Sequence, residues 1–119
     1  MLREIVHFIR IAPPLLKLGP HIAPVGTRFY TGNLFPPQFK NTLFIAQKGS
    51  WNRSQKLGYR IVTVDVRAGM VPRAEVFAEG FHQGNTVIGR PTYIEWMKDG
   101  SMLVSDDFHG AIYHITYQR

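Results

Sequence analysis

The chain has 119 residues, of which 45% are hydrophobic and 13% aromatic, so it is one domain's length of chain, too apolar to be a disordered tail. Only 18% of residues are charged, and 11 glycines and 8 prolines are scattered without period, which excludes collagen and argues against a helix bundle. The net charge is +6 but no three cations run together, so no specific nucleic-acid site is expected, and the absence of cysteine excludes disulfides and thiolate-bound metals.

Residues 1–12 place Leu2, Ile5, Val6 and Ile9 at helical spacing, predicting one or two helical turns stopped by Pro13 and Pro14. Glu4, His7 and Arg10 interrupt this segment and no small-residue cleavage site follows, so it is not read as a signal peptide. No 18-residue apolar run occurs, so no transmembrane segment is expected. From Gly26 onward, short β-like runs alternate with turn signals. The predicted strands are Thr27–Thr31, Thr42–Gln47, Tyr59–Val66, Ala74–Phe81, Thr92–Met97, Met102–Asp106 and Ala111–Tyr117. Gly32–Lys40, Gly49–Gly58 and Gln83–Pro91 read as loops, Arg67–Pro72 as a turn, and Asp99-Gly100 as a hairpin turn.

A weak internal repeat links Leu43–Ala46 to Met102–Ser105 and Tyr59–Val62 to Ala111–His114. Each copy runs strand, turn, strand, loop, strand, and the first adds a fourth strand. Four antiparallel strands per repeat is the pattern of a β-propeller blade, so the expected fold is all-β with about two blades. Blades bury both faces against neighbours, so two alone leave apolar faces open. The chain is therefore expected to be a partial propeller, to self-associate, or to fold differently alone.

Up-and-down connectivity also sorts the loops by end. Lys48–Leu57 and Asp107–Gly110, with the lead-in loops His21–Gly26 and Gln83–Pro91, belong on one rim. Lys48, Arg53, Arg90, Asp106, Asp107, His109 and His21 are thus expected to converge. Adjacent residues in a strand point to opposite faces, so Asp106 and Asp107 read as turn caps rather than paired metal ligands. His82, His109 and His114 lack ligand spacing, no Ser–His–Asp set is identifiable, and Trp96, alternating with Ile94, reads as core.

The motifs Leu18–Pro24, Phe29–Gly32, Leu43–Ala46, Gly49–Ser54 with Gly58-Tyr59, Gly89–Pro91 and Asp99–Asp107 together resemble the C-terminal end of sorbosone dehydrogenases. These are relatives of the soluble glucose dehydrogenases that use pyrroloquinoline quinone. The resemblance covers residues 13–119, leaving 1–12 as an extension. It implies a six-bladed β-propeller, calcium and the quinone as cofactors, and oxidation of a sugar or sugar aldehyde with electrons passed to an external acceptor. Full-length members are periplasmic or secreted. The family's catalytic His region has no counterpart here, and Lys48 stands where the family commonly has His.

A quinone bearing carboxylates is a planar anion, which Arg can clamp and stack on and Lys can attract as a point charge. Arg90, Lys48 and Arg53 are the candidate cofactor-binding residues in that order, with His21 in its Pro-flanked loop and Trp51 as a ring that could stack. No residue is assigned a catalytic role or a metal. The expected function is the C-terminal part of a quinone-dependent sugar dehydrogenase, inactive without the missing blades. The alternative is a non-catalytic module that self-associates through open blade faces or complements a partner chain. Salt-dependent attraction to polyanions or acidic membranes is the third reading.

Overall fold

Branched and aromatic residues alternating between Gly, Pro and Asn breaks form antiparallel strands. The computed structural model describes residues 12–50, 55–67, 69 and 71–118, so Leu2, Ile5, Val6 and Ile9 of the expected helical turns lie outside the described residues. The strands are β1 (Pro24–Phe29), β2 (Leu43–Gln47), β3 (Arg60–Val64), β4 (Ala74–Ala78), β5 (His82–Gln83), β6 (Thr86–Val87), β7 (Pro91–Trp96), β8 (Met102–Asp106) and β9 (Ala111–Ile115). They form a four-stranded sheet in the order β1-β2-β3-β4, a β5-β6 hairpin and a three-stranded sheet β7-β8-β9. Every pairing is antiparallel. The all-β expectation therefore holds among the described residues, with all seven expected strands present, Met102–Asp106 at the expected bounds and the other six at shifted ends.

The shifts have local causes. Tyr59 takes φ 56°, a left-handed conformation that a strand cannot contain, so β3 starts one residue later than expected. Gly80 at φ 105° lies beyond the early end of β4. The segment Gln83–Pro91, expected to be a plain loop, contains all of the β5-β6 hairpin except His82, turning at Gly84-Asn85. A short 3-10 turn over Pro37–Phe39 punctuates the other long connection.

Side-chain alternation divides the four-stranded sheet into two faces. Phe44, Ala46 and Ile61 point to one side and pack with Ile94, Met102 and Val104 of the three-stranded sheet, joined by Tyr30 and Phe35. Trp96 packs against this cluster as expected, and its indole Nε1 donates to the Phe29 carbonyl at 2.8 Å. On the opposite face Ile45, Val62 and Val64 are covered by Leu16 and Leu18 of the N-terminal segment. The outer face of the three-stranded sheet has no such cover among the described residues: Tyr93 is 63% and Ile112 71% exposed.

Two features hold the sheets together. A Cβ on Gly26 of β1 would sit 2.4 Å from the Thr92 carbonyl oxygen and 2.9 Å from the Tyr93 Cα of β7, so only glycine permits this approach. Tyr30, fully buried, donates its hydroxyl to the Gly100 carbonyl at 2.9 Å and accepts from the Leu34 and Phe35 backbone N–H groups at 2.9 and 3.0 Å. One oxygen thus satisfies three backbone groups from two separate parts of the chain. Arg28 and Glu95 add an exposed ion pair at 2.9 Å across the same seam.

Tyr30→Phe should lower unfolding free energy by about 1–3 kcal/mol, because it leaves buried backbone groups unpaired while keeping the ring. Gly26→Ala should cost a similar ~1–3 kcal/mol through overpacking against backbone that cannot yield. Urea denaturation of both variants checks this, and a loss below a few tenths of a kcal/mol in either contradicts the role given to that residue.

Candidate functional site

Lys48 follows the last residue of β2. Its backbone N–H donates to the Ala23 carbonyl at 3.0 Å, and the next N–H, of Gly49, donates to Ile22 at 2.9 Å. These bonds extend the β1-β2 pairing past its formal end. Gly49, at φ 114°, then turns the chain, and a Cβ there would meet the Tyr59 ring at 2.5 Å. The Tyr59 hydroxyl closes the loop by donating to the Ser50 carbonyl, and Ser50 N–H donates to Leu57 at 2.8 Å. The base of the Lys48 loop is therefore fixed on both sides.

Arg90 immediately precedes β7. Its backbone N–H donates to Asp106 Oδ1 at 3.0 Å, and its guanidinium carbon lies 5.7 Å from the Phe108 ring centroid, within cation–π range. Asp106, 2% exposed, also accepts from the N–H groups of Phe108 and His109 at 2.8 and 3.3 Å and from the Tyr113 hydroxyl at 2.6 Å. Burial pushes the Asp106 carboxyl up, but the Tyr113 hydroxyl and the three backbone donors outweigh it and hold the group below the ordinary carboxylate value. Gly89 makes room for this arrangement, since a Cβ there would lie 2.7 Å from Asp106 Oδ2. Asp106 is thus the turn cap that its position implied.

Asp107 departs from the turn-cap expectation. Its Oδ2 lies 2.7 Å from Lys48 Nζ and its Oδ1 2.9 Å from Arg90 Nε. The Arg90 contact is at ion-pair distance but off the hydrogen-bond line, and the buried Nε has no hydrogen-bond partner among the described residues. The Lys48 hydrogen bond, reinforced by the charge of Arg90, holds the Asp107 carboxyl below its ordinary value. One carboxylate therefore joins a cation from the four-stranded sheet to a cation from the three-stranded sheet. The three side chains are 35%, 32% and 39% exposed for Lys48, Arg90 and Asp107, so the cluster is partly desolvated yet reachable.

The structure brings Lys48 and Arg90 together on the expected rim. Both cations are paired there with Asp107. His21 is exposed, at φ 64°, in the loop that Ile22 and Ala23 tie to Gly49 and Lys48. Among the described residues its imidazole makes no ion pair with Asp107 and no hydrogen bond to Lys48 or Arg90. Trp51 and Arg53 lie outside the described residues. His109 contributes its backbone N–H to Asp106, and its ring lies 4.7 Å from Phe108.

A Ser–His–Asp chain not identified in the sequence does exist: Ser101 Oγ donates to Asp99 Oδ1 at 2.6 Å and lies 2.8 Å from His114 Nε2. Its serine is fully buried, with the hydroxyl proton committed to the aspartate, so it braces a turn and is no nucleophile. Sequence reasoning placed Asp107 on this rim but read it as a turn cap and not as a bridge between the cations, and it missed Phe108. The signal was available, since the loop arrangement placed a carboxylate among the cations it also placed there.

The whole arrangement is an antiparallel β scaffold with a rim that gathers charge from separate sheets. The TrAA12-like family model matches residues 9–118, and the chain belongs to that family. An uncharacterized protein of Borreliella burgdorferi is 40% identical over 113 residues, covering 92% of this chain and 30% of that protein. A pyrroloquinoline quinone-dependent pyranose dehydrogenase of Coprinopsis cinerea is 31% identical over 124 residues, covering 86% of this chain and 16% of the enzyme. Among solved structures, the holo form of the pyranose dehydrogenase PQQ domain from Coprinopsis cinerea aligns with TM-score 0.56 and 27% identity, over 82% of this chain and 27% of that one. The iodide structure of a Trichoderma reesei carbohydrate-active enzyme of family AA12 aligns with TM-score 0.64 at 20% identity, over 82% of this chain and 25% of that one. The chain spans less than a third of the length of these curated relatives.

Asp106 and Asp107 both have native values below the ordinary 3.8, so their stabilisation is complete above that value and is lost as pH falls through the lower native values. The urea midpoint should therefore hold at neutral pH and drop below about pH 4. Asp106→Asn should flatten that acid limb. An unchanged limb in the variant would show that Asp106 contributes nothing to it.

Proposed function

We propose that this chain forms about two blades of a six-bladed β-propeller that binds pyrroloquinoline quinone and oxidises a sugar or sugar aldehyde, of sorbosone or glucose type. The family membership and the pyranose dehydrogenase relatives support the reaction class. The observation that carries the site is the meeting of Lys48 and Arg90, from different sheets, at one partly exposed rim. Lys48 keeps ammonium hydrogens beyond the one given to Asp107, and Arg90 keeps its terminal guanidinium nitrogens, so both cations retain donors for a ligand. That donor set fits a planar molecule carrying carboxylates.

When bound, the quinone supplies the two-electron acceptor for the sugar. This chain's residues would bind and orient it: Lys48 and Arg90 attract its carboxylates, and His21, Arg53 and Trp51 are proposed as further contacts from their places in the sequence. Calcium is a different matter. Among the described residues no group of three or more His, Cys, Asp or Glu is placed to hold a metal ion, and no residue of this chain is assigned to calcium.

The exposed Tyr93 and Ile112 favour a neighbouring blade over the outer face of the three-stranded sheet. Turnover is accordingly assigned to an assembly with further blades, and the isolated chain is expected to be inactive.

Titration of the purified chain with pyrroloquinoline quinone at low salt, followed by fluorescence, should show weak saturable binding. Lys48→Gln and Arg90→Gln should each weaken it by about tenfold, the scale of one charge-assisted contact. No binding, or binding indifferent to both substitutions, contradicts the site. With aldoses, calcium and a redox dye the isolated chain should give no turnover, and vigorous dye reduction would overturn the need for further blades.

A further inference from the structure

We propose that Asp107 is a positioning residue that holds Lys48 and Arg90 as a preformed cation pair across the seam between the two sheets. The inference rests on the reading of those two residues as anion-binding, and it assigns a role to a side chain outside that set.

The turn after β8 is built around Arg90. Three consecutive residues hold it by different means: Asp106 Oδ1 accepts its backbone N–H at 3.0 Å, Asp107 Oδ1 lies 2.9 Å from its Nε, and the Phe108 ring faces its guanidinium carbon at 5.7 Å. Asp106 also accepts the Phe108 and His109 N–H groups, so the backbone on either side of Asp107 is fixed before any ligand arrives.

From that fixed point Asp107 spends one oxygen on each cation. Its other oxygen takes Lys48 Nζ at 2.7 Å, reaching into the four-stranded sheet. Lys48 and Arg90 would otherwise repel each other, and their long side chains would sample many rotamers. Holding them beforehand removes that ordering cost from the binding step. Each cation keeps donors for a ligand: the two further ammonium hydrogens of Lys48 and the terminal guanidinium nitrogens of Arg90. With the inward-facing Asp106 counted, two carboxylates stand against the two cations, so attraction of an anion rests on these remaining donors and not on surplus charge.

A carboxylate between two cations has a rival interpretation, that it occupies the place of a ligand carboxylate and must be expelled. The two differ in sign. Removing a positioning carboxylate weakens anion binding, whereas removing an occupant strengthens it.

The test compares wild type with Asp107→Asn and Asp107→Glu in two measurements. Without ligand, nitrogen-15 NMR of the Arg90 Nε–H reports side-chain order, while the Arg90 backbone amide, held by Asp106, reports an intact turn. Asp107→Asn should mobilise the Nε–H and leave the amide unchanged, and Asp107→Glu should restore part of the order. An Nε–H as ordered in Asp107→Asn as in wild type overturns the proposal. With pyrroloquinoline quinone as probe, Asp107→Asn should bind about tenfold more weakly, with partial recovery in Asp107→Glu. Equal or tighter binding by Asp107→Asn also overturns it. Absence of quinone binding by wild type would sink the cofactor reading instead, and the NMR measurement would still decide whether Asp107 orders the pair.

Discussion

The distance between β1 and β7 at Gly26 is the constraint on which the rim depends. The hydrogen of that glycine is all that fits against the Thr92 carbonyl, so the two sheets lie backbone to backbone at this point. Lys48 belongs to the sheet on one side of the seam and Arg90 to the sheet on the other. They share a single carboxylate only because the sheets are that close. Below the seam the aromatic cluster of Tyr30, Phe35, Phe44 and Trp96 fills the interface with edge and tilted ring contacts. The Tyr30 hydroxyl then ties the cluster to the Gly100 turn at the far end. Packing sets the spacing, and spacing sets the electrostatics.

The charge of the chain takes on meaning through that geometry. A surplus of six positive charges spread over a surface gives weak, screened attraction to any polyanion. Two of those cations placed together beside an apolar ring and partly withdrawn from water form a local field with a defined direction. The neighbouring carboxylates act differently. Asp106 is internal, with its oxygens committed to the backbone and Tyr113. Asp107 points outward and connects sheets. Their adjacency in sequence conceals a division of labour that follows from successive side chains taking opposite sides of the strand and turn.

Strand existence was legible because alternation and turn residues are local signals. Tyr59 illustrates the limit: its aromatic ring and its place beside Arg60-Ile61 argue for strand, while tertiary packing against Gly49 places it in a left-handed conformation. The β5-β6 hairpin carried a readable Gly-Asn turn signal, but strands of two residues are too short for alternation to show. Arg90 and Lys48 were found by loop bookkeeping and by family resemblance. The role of Asp107 was not, since pairing between side chains remote in sequence is set by how closely two sheets pack. That distance has no sequence signature beyond the need for a small residue at Gly26.

Among the described residues each large sheet is a meander, with strands pairing only to their neighbours in sequence, and no strand of one sheet pairs with a strand of the other. The backbone ladders therefore end within each sheet, and side chains and close glycine contacts such as that of Gly26 cross the seam. Such a unit can be copied, lost or exchanged during evolution without severing a ladder elsewhere. The residues that must then co-evolve are few: the glycine at the contact, the rings behind it, and the acid that bridges the cut.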